Sequence, residues 1–413
     1  MALGLTGLTT QGRCLLAAGV ACSACSIALN ERDLLRIGTF VLVMPLLAAL
    51  LATLTRCCLH ATRTVIPDRV SVGAEPYAQL KLDNSGWLLG GQIVLTDALP
   101  DALGRSPRLT IAASHQSESF TVVRYPITPV IRGRHLIGPL TVRISDPLGL
   151  AEYERELAGR TPLMVLPRVT PLNGSPEGFG HGEGSAGATG RRRGPGERDA
   201  LVRQYQPGDP VRTVHWRSTA RRDELMVRLE ERPWHGGVTV LIDRRARAHY
   251  GNGANASLEW AVELVASICH HLITRGRRIR LVAEDGVTLA SGRDTEALLD
   301  SLAMLRPSTQ PELVLGGDEG DDGQLIAVLG AVDQADVAVL ARHHSGGSGR
   351  AVLLDVAEWN HAQQKQPAPD VTEPARALTE AGWTVLIGKP GCGPAEIWRD
   401  FCQDLPIRQG TGR

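Results

Sequence analysis

Two uncharged apolar runs dominate the N-terminal part of the chain. The longer, Ile37 to Thr55, has 19 residues without a charge, close to the ~20 that an α-helix needs to cross a bilayer. The shorter, Cys14 to Leu29, is rich in Gly, Ala, Ser and Cys, small residues that let two helices approach closely. The charged turn Asn30 to Arg36 separates the runs. This pattern predicts a transmembrane helical hairpin within residues 1–60, with spans at about 14–29 and 37–55.

Two other interpretations of the N-terminus remain open. One is a cleaved signal peptide over residues 1–29, which the sparse basic charge before the first run and the longer second run disfavour. The other is a lipoprotein signal, which needs a lipobox before Cys22 or Cys25 and finds only the poor match Gly19-Val20-Ala21.

The basic residues around the hairpin predict its orientation. Those on the two flanks outnumber those in the turn, because Arg13, Arg56, Arg63 and Arg69 stand against Arg32 and Arg36. The positive-inside rule then places both ends in the cytoplasm. We expect a two-pass protein of the cell membrane whose large C-terminal part is cytoplasmic.

Between residues 64 and 168 the chain turns to short alternations of apolar and polar residues. Turn-forming residues such as Asn84-Ser85-Gly86 separate the runs. Short strands at such spacing are typical of an antiparallel β-sandwich, so we expect a sandwich-like module without catalytic residues. The glycine-rich residues 171–197 predict a flexible linker, and a phosphate-binding loop is disfavoured because no strict GxGxxG or GxxxxGK[ST] occurs.

Residues 236–404 alternate strand-like and helix-like patterns. An apolar strand ends in Asp243, and Leu258 to Arg275 predicts an amphipathic helix. Further strands are predicted over Arg278–Glu284, Asp336–Arg342, Arg350–Ala357 and Trp383–Gly388, and helices over Asp294–Leu305, Gln324–Val332 and Pro374–Ala381. This alternation predicts an α/β domain with a mostly parallel sheet.

The carboxyl ends of the strands are where such sheets place their sites. That rule directs attention to Asp243 and to the arginines that follow it, Arg244, Arg245 and Arg247.

Composition removes several classes of function. Lysine plus arginine and aspartate plus glutamate number 44 each, so bulk charge indicates no nucleic-acid partner. The cysteines lack the paired spacing of a zinc site, and their pattern fits free thiols in a reducing compartment. We therefore expect no metal and no cofactor.

Residues 198–235 form the segment richest in chemically active side chains. Two interpretations fit this arginine-rich segment. It could bind an anion or an acidic partner, or it could form a half-buried ionic network among Arg203, Asp209, Arg212 and Arg221, which the planar guanidinium favours. Asp209-Pro210 predicts the start of a short helix over 210–221, and residues 224–231 predict a strand.

An enzyme that uses this segment to bind an anion would also need a nucleophile or a base in a cleft. His215, His235, Ser218 and Asp243 are the candidates, and a triad of Ser218, His215 and Asp209 is formally possible. No GxSxG elbow accompanies it, so the triad is disfavoured.

The spacing RxYxxGDxxRxxxWxxxAR resembles the signature of the family called domain of unknown function 58. The matching residues are Arg203, Tyr205, Gly208, Asp209, Arg212, Trp216, Ala220 and Arg221. Earlier motifs of that family are matched by Arg132-Gly133-Arg134, Gly138-Pro139, Asp146–Leu150 and Val165–Arg168. The resemblance implies a multidomain protein: a membrane hairpin, a β-rich module and a von Willebrand factor A-like α/β domain. It also implies a partner, a MoxR-type AAA+ ATPase.

One departure bears on chemistry. A metal-binding von Willebrand A domain ends its first strand in DxSxS, whereas this chain has Asp243-Arg244-Arg245-Ala246-Arg247. Guanidinium groups cannot donate a lone pair to a metal and their charge opposes one. We expect a degenerate metal site at Asp243, Arg245 and Arg247, with Arg245 or Arg247 beside Asp243 in place of the ion, or else a plain arginine-rich surface loop.

Two hypotheses about function follow. The first is a membrane-anchored, non-catalytic accessory protein that works with a MoxR-type AAA+ ATPase in assembly or envelope maintenance. The second is an enzyme, a hydrolase or an anion- or nucleotide-dependent activity, that uses the arginine-rich segment.

Overall fold

The computed structural model describes residues 7–55, 59–84, 92–112, 120–146, 148–176, 202–204, 226–228, 237–315, 324–343, 349–359 and 369–403. Two compact units are distinguished: Met1–Val169 with Asn252–Asn255 and Leu299–Arg306, and the remaining residues from Thr170 onward.

The N-terminal helices confirm the prediction of two apolar helices. Helix α1 spans Thr10–Leu29 and helix α2 spans Arg32–Thr55, and both are long and apolar enough to cross a membrane. Small residues bring them together, because a Cβ atom added at Gly19 would lie 2.8 Å from the backbone nitrogen of Leu42. Their outward faces carry exposed apolar side chains such as Phe40.

The rest of the first unit is rich in strands. Its strands are β1 Leu59–Ile66, β2 Arg69–Ser71, β3 Tyr77–Asn84, β4 Gln92–Asp97, β5 Arg108–Ala112, β6 Phe120–Pro126, β7 Gly133–Ile137, β8 Leu140–Ser145, β9 Glu152–Ala158 and β10 Thr161–Leu166. They form sheets ordered β1-β3-β6, β2-β10-β7 and β5-β4-β8-β9, which share one apolar core. All the pairings are antiparallel except β2 with β10.

A buried ion pair lies in this strand-rich region. The guanidinium of Arg63 donates to both carboxylate oxygens of Asp97, at 2.8 and 2.6 Å, and the hydroxyl of Tyr125 donates to the same carboxylate at 2.6 Å. Burial is the main cause that raises the pKa of Tyr125, and the neighbouring carboxylate raises it further. Because Arg63 is neutralised inside the protein, it is a poor member of the positive flank that predicted the orientation of the hairpin.

The second unit contains a six-stranded sheet of mixed direction. Its strands are β13 Val238–Ile242, β14 Ile279–Ala283, β15 Thr288–Gly292, β16 Gln324–Leu329, β17 Gly349–Leu354 and β18 Thr384–Gly388, in the order β15-β14-β13-β16-β17-β18. Five strands are parallel, and β15 pairs antiparallel with β14. The α/β nature and the mostly parallel sheet agree with the predicted fold class.

Helices connect these strands. They are α3 Ser257–Thr274, α4 Thr295–Ala303, α5 Gln334–His343, α6 Thr372–Glu380 and α7 Pro394–Cys402. The stretch from Thr170 to Ser175, which includes the first residues of the predicted linker 171–197, lies along α3. The Thr170 amide donates to Ser267 Oγ at 2.9 Å, and Arg275 donates to Ser175 Oγ at 3.0 Å.

Two neighbouring predictions are wrong. Residues 324–332, expected to be a helix, contain strand β16 over Gln324–Leu329, and residues 336–342, expected to be a strand, lie in helix α5. The first is an apolar run of strand length buried on both faces. The second follows Asp333, whose carboxylate accepts from the Asp336 amide at 2.9 Å and so starts a helix.

The arginine-rich segment is described only in two short strands. Val202–Gln204 forms β11 and Met226–Arg228 forms β12, and they pair antiparallel with Arg203 opposite Val227. The predicted strand over 224–231 thus includes β12. The predicted helix over 210–221 lies outside the described residues.

Candidate functional site

The candidate site lies at the carboxyl end of strand β13. Val238–Ile242 is an almost fully buried apolar strand, and its ladder continues one residue further, because the Asp243 amide donates to the Val328 carbonyl at 3.0 Å. The sheet order reverses between β13 and β16, and this is the point where doubly wound sheets place ligands. The carboxylate of Asp243 is fully buried there.

The side chain of Arg245 folds back along the chain and pairs with this carboxylate. Its Nε and Nη2 donate to the two oxygens of Asp243, at 3.0 and 2.9 Å, in the bidentate geometry that suits a guanidinium and a carboxylate. Nη1 faces the opposite way and donates to both oxygens of Asp336, at 2.9 and 3.0 Å. One fully buried guanidinium thus bridges two buried carboxylates, and we call Asp243, Arg245 and Asp336 the Asp243 cluster.

Backbone amides complete the hydrogen bonding of Asp243. The Arg245 amide donates to Oδ1 at 3.0 Å, and the Gly330 amide, just after β16, lies 3.4 Å from Oδ2. Gly330 approaches the chain after β13 closely, because an added Cβ would lie 2.1 Å from the Ala248 carbonyl oxygen. Protein atoms therefore fill the crevice between the two strands at this point.

Asp336 reaches the cluster from the first turn of α5. Asp333 and Asp336 cap that helix reciprocally: the Asp336 amide donates to Asp333 Oδ1 at 2.9 Å, and the Asp333 amide donates to Asp336 Oδ2 at 3.2 Å. Asp336 therefore both fixes the start of the helix and accepts the second half of the Arg245 side chain.

The electrostatics of the cluster favour a permanent cation at Arg245. Burial opposes its charge, but the hydrogen bonds and charges of Asp243 and then Asp336 outweigh burial and raise the pKa of the guanidinium. Burial raises the pKa of Asp336, against the effect of the Arg245 charge. With both carboxylates ionised, the two acids and one base leave a formal charge of −1.

His249 fixes the backbone that follows Arg245. Its Nε2 lies 2.7 Å from the Asp243 carbonyl oxygen and its Nδ1 lies 3.0 Å from Ser257 Oγ, so the neutral ring donates at Nε2 and accepts at Nδ1. Burial lowers the pKa of His249. A neutral imidazole with both nitrogens occupied acts as a structural link between the loop and helix α3.

The other two arginines of the loop face outward to different degrees. Arg244 donates through Nε to the buried carboxylate of Glu284 at 3.1 Å and through Nη2 to Asp285 at 2.5 Å. Arg247 is half exposed and lies 3.3 Å from Asp333 Oδ2, which is also half exposed. Of the two arginines expected beside Asp243, Arg245 contacts its carboxylate and Arg247 lies near Asp333 instead.

The chemistry of the cluster is that of a satisfied ion network. Within the described residues, no group of three or more His, Cys, Asp or Glu side chains could hold a metal ion. The ligand oxygens that Asp243 and Asp336 would offer to a cation all accept from Arg245.

The structure brings together only some of the predicted site residues. Asp243 and Arg245 form an ion pair, Arg247 lies at the rim of the cluster, and Arg203 lies in β11. The other predicted residues lie outside the described part of the chain: Tyr205, Gly208, Asp209, Arg212, His215, Trp216, Ser218, Ala220, Arg221 and His235. Sequence reasoning missed Asp336, Glu284 and His249. Asp333-x-x-Asp336 ahead of an apolar run is a helix-cap signal that could have marked Asp336.

A protein-family model matches the central region of the chain. The model for "Protein of unknown function DUF58" matches residues 201–313. This chain carries a DUF58 domain. The DUF58 match contains Asp243 and Arg245 and ends before β16, so Asp336 and the last three strands lie beyond it.

A relative and two solved structures complete the comparison. The "Uncharacterized protein YeaD" of Bacillus subtilis (strain 168) is 27% identical over 189 residues, which is 45% of this chain and 45% of that protein, so the match spans less than half of either. The CARDB domain of a Pyrococcus furiosus protein covers 26% of this chain and 91% of its own at 14% identity, with a TM-score of 0.19. A cohesin module from Clostridium perfringens ATCC13124 covers 26% and 96% at 17% identity, also with a TM-score of 0.19. These TM-scores do not establish a shared fold.

Proposed function

We propose that this DUF58 protein is a membrane-anchored accessory protein that binds a partner and catalyses no reaction itself. The observation that carries the proposal is the Asp243 cluster, in which a tethered guanidinium occupies the position at the switch point of the sheet where a ligand would bind. The two apolar helices supply the anchor.

A von Willebrand factor A-like identity of the α/β unit is part of the proposal. Its first strand, β13, ends in a buried aspartate, which is the position that begins the DxSxS motif of metal-binding members. Here the first serine position is Arg245, and its side chain contacts the aspartate directly. The Arg245 guanidinium therefore puts a positive charge where the metal-binding members hold a divalent ion. Unlike a metal ion, it cannot be exchanged for another ion and cannot coordinate a partner's carboxylate.

The rim above the cluster is the proposed docking surface. It carries the exposed pair Arg247 and Asp333 and the partly exposed pair Arg244 and Asp285. Exposed ion pairs of this kind contribute little to stability, so their side chains can change partners when another protein binds. The partner that the family resemblance suggests is a MoxR-type AAA+ ATPase, which requires that this surface be cytoplasmic.

The proposed orientation rests on fewer charges than the sequence implied. Arg63 pairs with Asp97 inside the strand-rich region and Arg69 contacts Asp300, which leaves Arg13 and Arg56 against Arg32 and Arg36 in the turn. The cytoplasmic assignment then depends on the cysteines, of which those described carry free thiols.

Partner capture from membranes tests the proposal. Full-length protein is purified in mild detergent from cells that also contain the AAA+ ATPase, and bound proteins are identified. Arg247→Ser should reduce capture of the ATPase severalfold without unfolding the protein. Arg376→Ser is the matched control, because Arg376 is also an exposed arginine in an ion pair, with Glu380 on helix α6.

Two results would count against it. Equal capture by Arg247→Ser and wild type would place the docking surface elsewhere. Hydrolysis of a nucleotide or ester by the purified protein, lost on substitution of Arg212 or His215, would favour the enzyme hypothesis instead.

A further inference from the structure

The loop between strands β8 and β9 is rigidly attached to the first apolar helix. The Thr9 amide donates to the Leu150 carbonyl at 3.0 Å, and the Thr9 hydroxyl donates to the Gly149 carbonyl at 2.7 Å. Gly12 packs on the same loop, because an added Cβ would lie 2.1 Å from the Leu150 carbonyl oxygen. A small apolar cluster of Leu8, Ala48, Leu150 and Ala151 seals the contact.

The loop holds its own shape. The Gly149 amide donates to the Asp146 carbonyl at 3.1 Å, which closes a four-residue turn. The Asp146 carboxylate accepts from the amides of Leu148 and Ala151, at 3.0 and 2.6 Å. These bonds present the side chain of Leu148 outward, and it is 56% exposed.

Among the described residues outside the two apolar helices, Leu148 is the large hydrophobic side chain with the greatest exposure. A single exposed leucine is ordinary on a protein surface. This one differs because the turn that carries it is bonded to the start of a candidate membrane span.

Helix geometry gives the depth of the loop. Gly12 and Asn30, at the two ends of α1, are separated by about 27 Å at 1.5 Å per residue, against a hydrocarbon core of about 30 Å. If the polar turn after Leu29 lies at one face of the bilayer, the loop at Gly12 lies at the boundary between headgroups and acyl chains on the other face. The apolar face of α1 alone is slightly short for the core, and a leucine beside its end extends the apolar zone.

We propose that Leu148 inserts into the lipid boundary, so that the β8–β9 loop contacts the membrane directly and holds the strand-rich unit against its surface. The proposal rests on the proposed membrane anchoring. The partner of Leu148 is the acyl region of the bilayer. The reason for choosing lipid is that the β8–β9 loop is bonded directly to the start of a candidate membrane span.

Site-specific fluorescence in reconstituted vesicles tests this contact. An environment-sensitive fluorescent amino acid is introduced by amber suppression at Leu148 in the full-length protein, which leaves the native cysteines in place. The protein is reconstituted into phosphatidylcholine–phosphatidylglycerol vesicles, with and without lipids brominated on the acyl chains. We expect a blue-shifted emission that bromolipids quench most strongly when the bromine lies about 5–10 Å below the headgroups.

Two control positions separate the possible failures. Val130 is an apolar residue of the same unit that is 45% exposed. It follows the end of β6 at Pro126, which pairs with Tyr77. Tyr77 in turn pairs with Ile66, at the end of β1 that lies farther from the helices. It should remain accessible to iodide and insensitive to bromolipid. Phe40, exposed on α2, should be quenched by bromolipid if the helices span the membrane.

The outcomes are distinct. Quenching at Phe40 and Leu148 but not Val130 supports the proposal. Quenching at Phe40 alone overturns it and leaves the anchor intact, and quenching at none of the three overturns the anchor as well. Protection of Leu148 from iodide without quenching by bromolipid would mean that protein covers it, which also overturns the lipid contact.

Discussion

Replacing Arg245 with methionine should strongly destabilise the α/β unit. The change removes the donors to Asp243 at 3.0 and 2.9 Å and to Asp336 at 2.9 and 3.0 Å, and it leaves two buried carboxylates without their cation. Removing one partner of a buried ion pair costs about 3–5 kcal/mol. For a domain of this size, each kcal/mol lowers Tm by roughly 2–4 °C, so the shift should be roughly 6–20 °C.

Thermal unfolding followed by tryptophan fluorescence measures this effect. Trp260, Trp359, Trp383 and Trp398 all lie in the α/β unit and report its unfolding. The control Arg376→Met removes an exposed arginine of an ion pair and should change stability by less than about 0.5 kcal/mol. The double variant Arg245→Met/Asp336→Leu should recover part of the loss, because it removes one of the two stranded carboxylates and Asp243 still accepts from the backbone amides of residue 245 and Gly330.

The pH dependence gives a second test of the same reasoning. Burial raises the pKa of Asp336, and Arg245→Met removes the guanidinium charge that opposes this rise, so the pKa of Asp336 lies further above its unfolded value. The folded state then binds more protons than the unfolded state, so stability is greatest at low pH and is lost as the pH rises through the raised pKa. A variant within about 1 kcal/mol of wild type at pH 8, or one whose deficit grows as the pH falls, would refute the account.

Three further substitutions test other parts of the structure. Gly19→Ile should force α1 away from Leu42 and lower the unfolding temperature of the hairpin, whereas Ala17→Ile, on an exposed face of the same helix, should not; equal effects would refute the close packing. Arg63→Met should cost about 3–5 kcal/mol in denaturant unfolding, because it strands Asp97, and Arg63→Lys should rescue it only partly since lysine lacks the bidentate geometry. Asp333→Ala should cost about 1 kcal/mol as a lost helix cap. Since the hydrogen bond from the Asp336 amide lowers the pKa of Asp333, this contribution should be present above the unfolded pKa and disappear as the pH falls through the lower folded pKa, and a pH-independent difference would contradict it.

The general architecture could be predicted because its signals are local. The apolar runs gave the two helices, and strand β13 with helix α3 followed from a short buried run and an amphipathic period. The exchange of strand and helix at β16 and α5 shows where local pattern fails. Both segments have short apolar runs, which fit a strand or a helix equally well. Burial on both faces favours the strand at β16, and the cap formed by Asp333 and Asp336 favours the helix at α5.

Only the part of the candidate site that is local in sequence could be predicted. Asp243 and Arg245 are two residues apart, so the rule about carboxyl ends of strands, together with the departure from DxSxS, predicted their contact. Asp336 is 91 residues from Arg245, and only the pairing of β13 with β16 brings the start of α5 to it. Glu284 likewise reaches Arg244 because β14 lies beside β13. Such long-range pairings depend on sheet order, which local pattern does not specify.

A metal titration of the full-length protein tests most directly whether the Arg245 guanidinium occupies the place beside Asp243 that a metal ion would need. Calorimetric titrations with Mg²⁺ and Mn²⁺ should give the same weak, nonspecific signal for wild type and for Asp243→Asn, since every oxygen of Asp243 and Asp336 already accepts from Arg245. Stoichiometric, tight binding to wild type that Asp243→Asn abolishes would contradict the account.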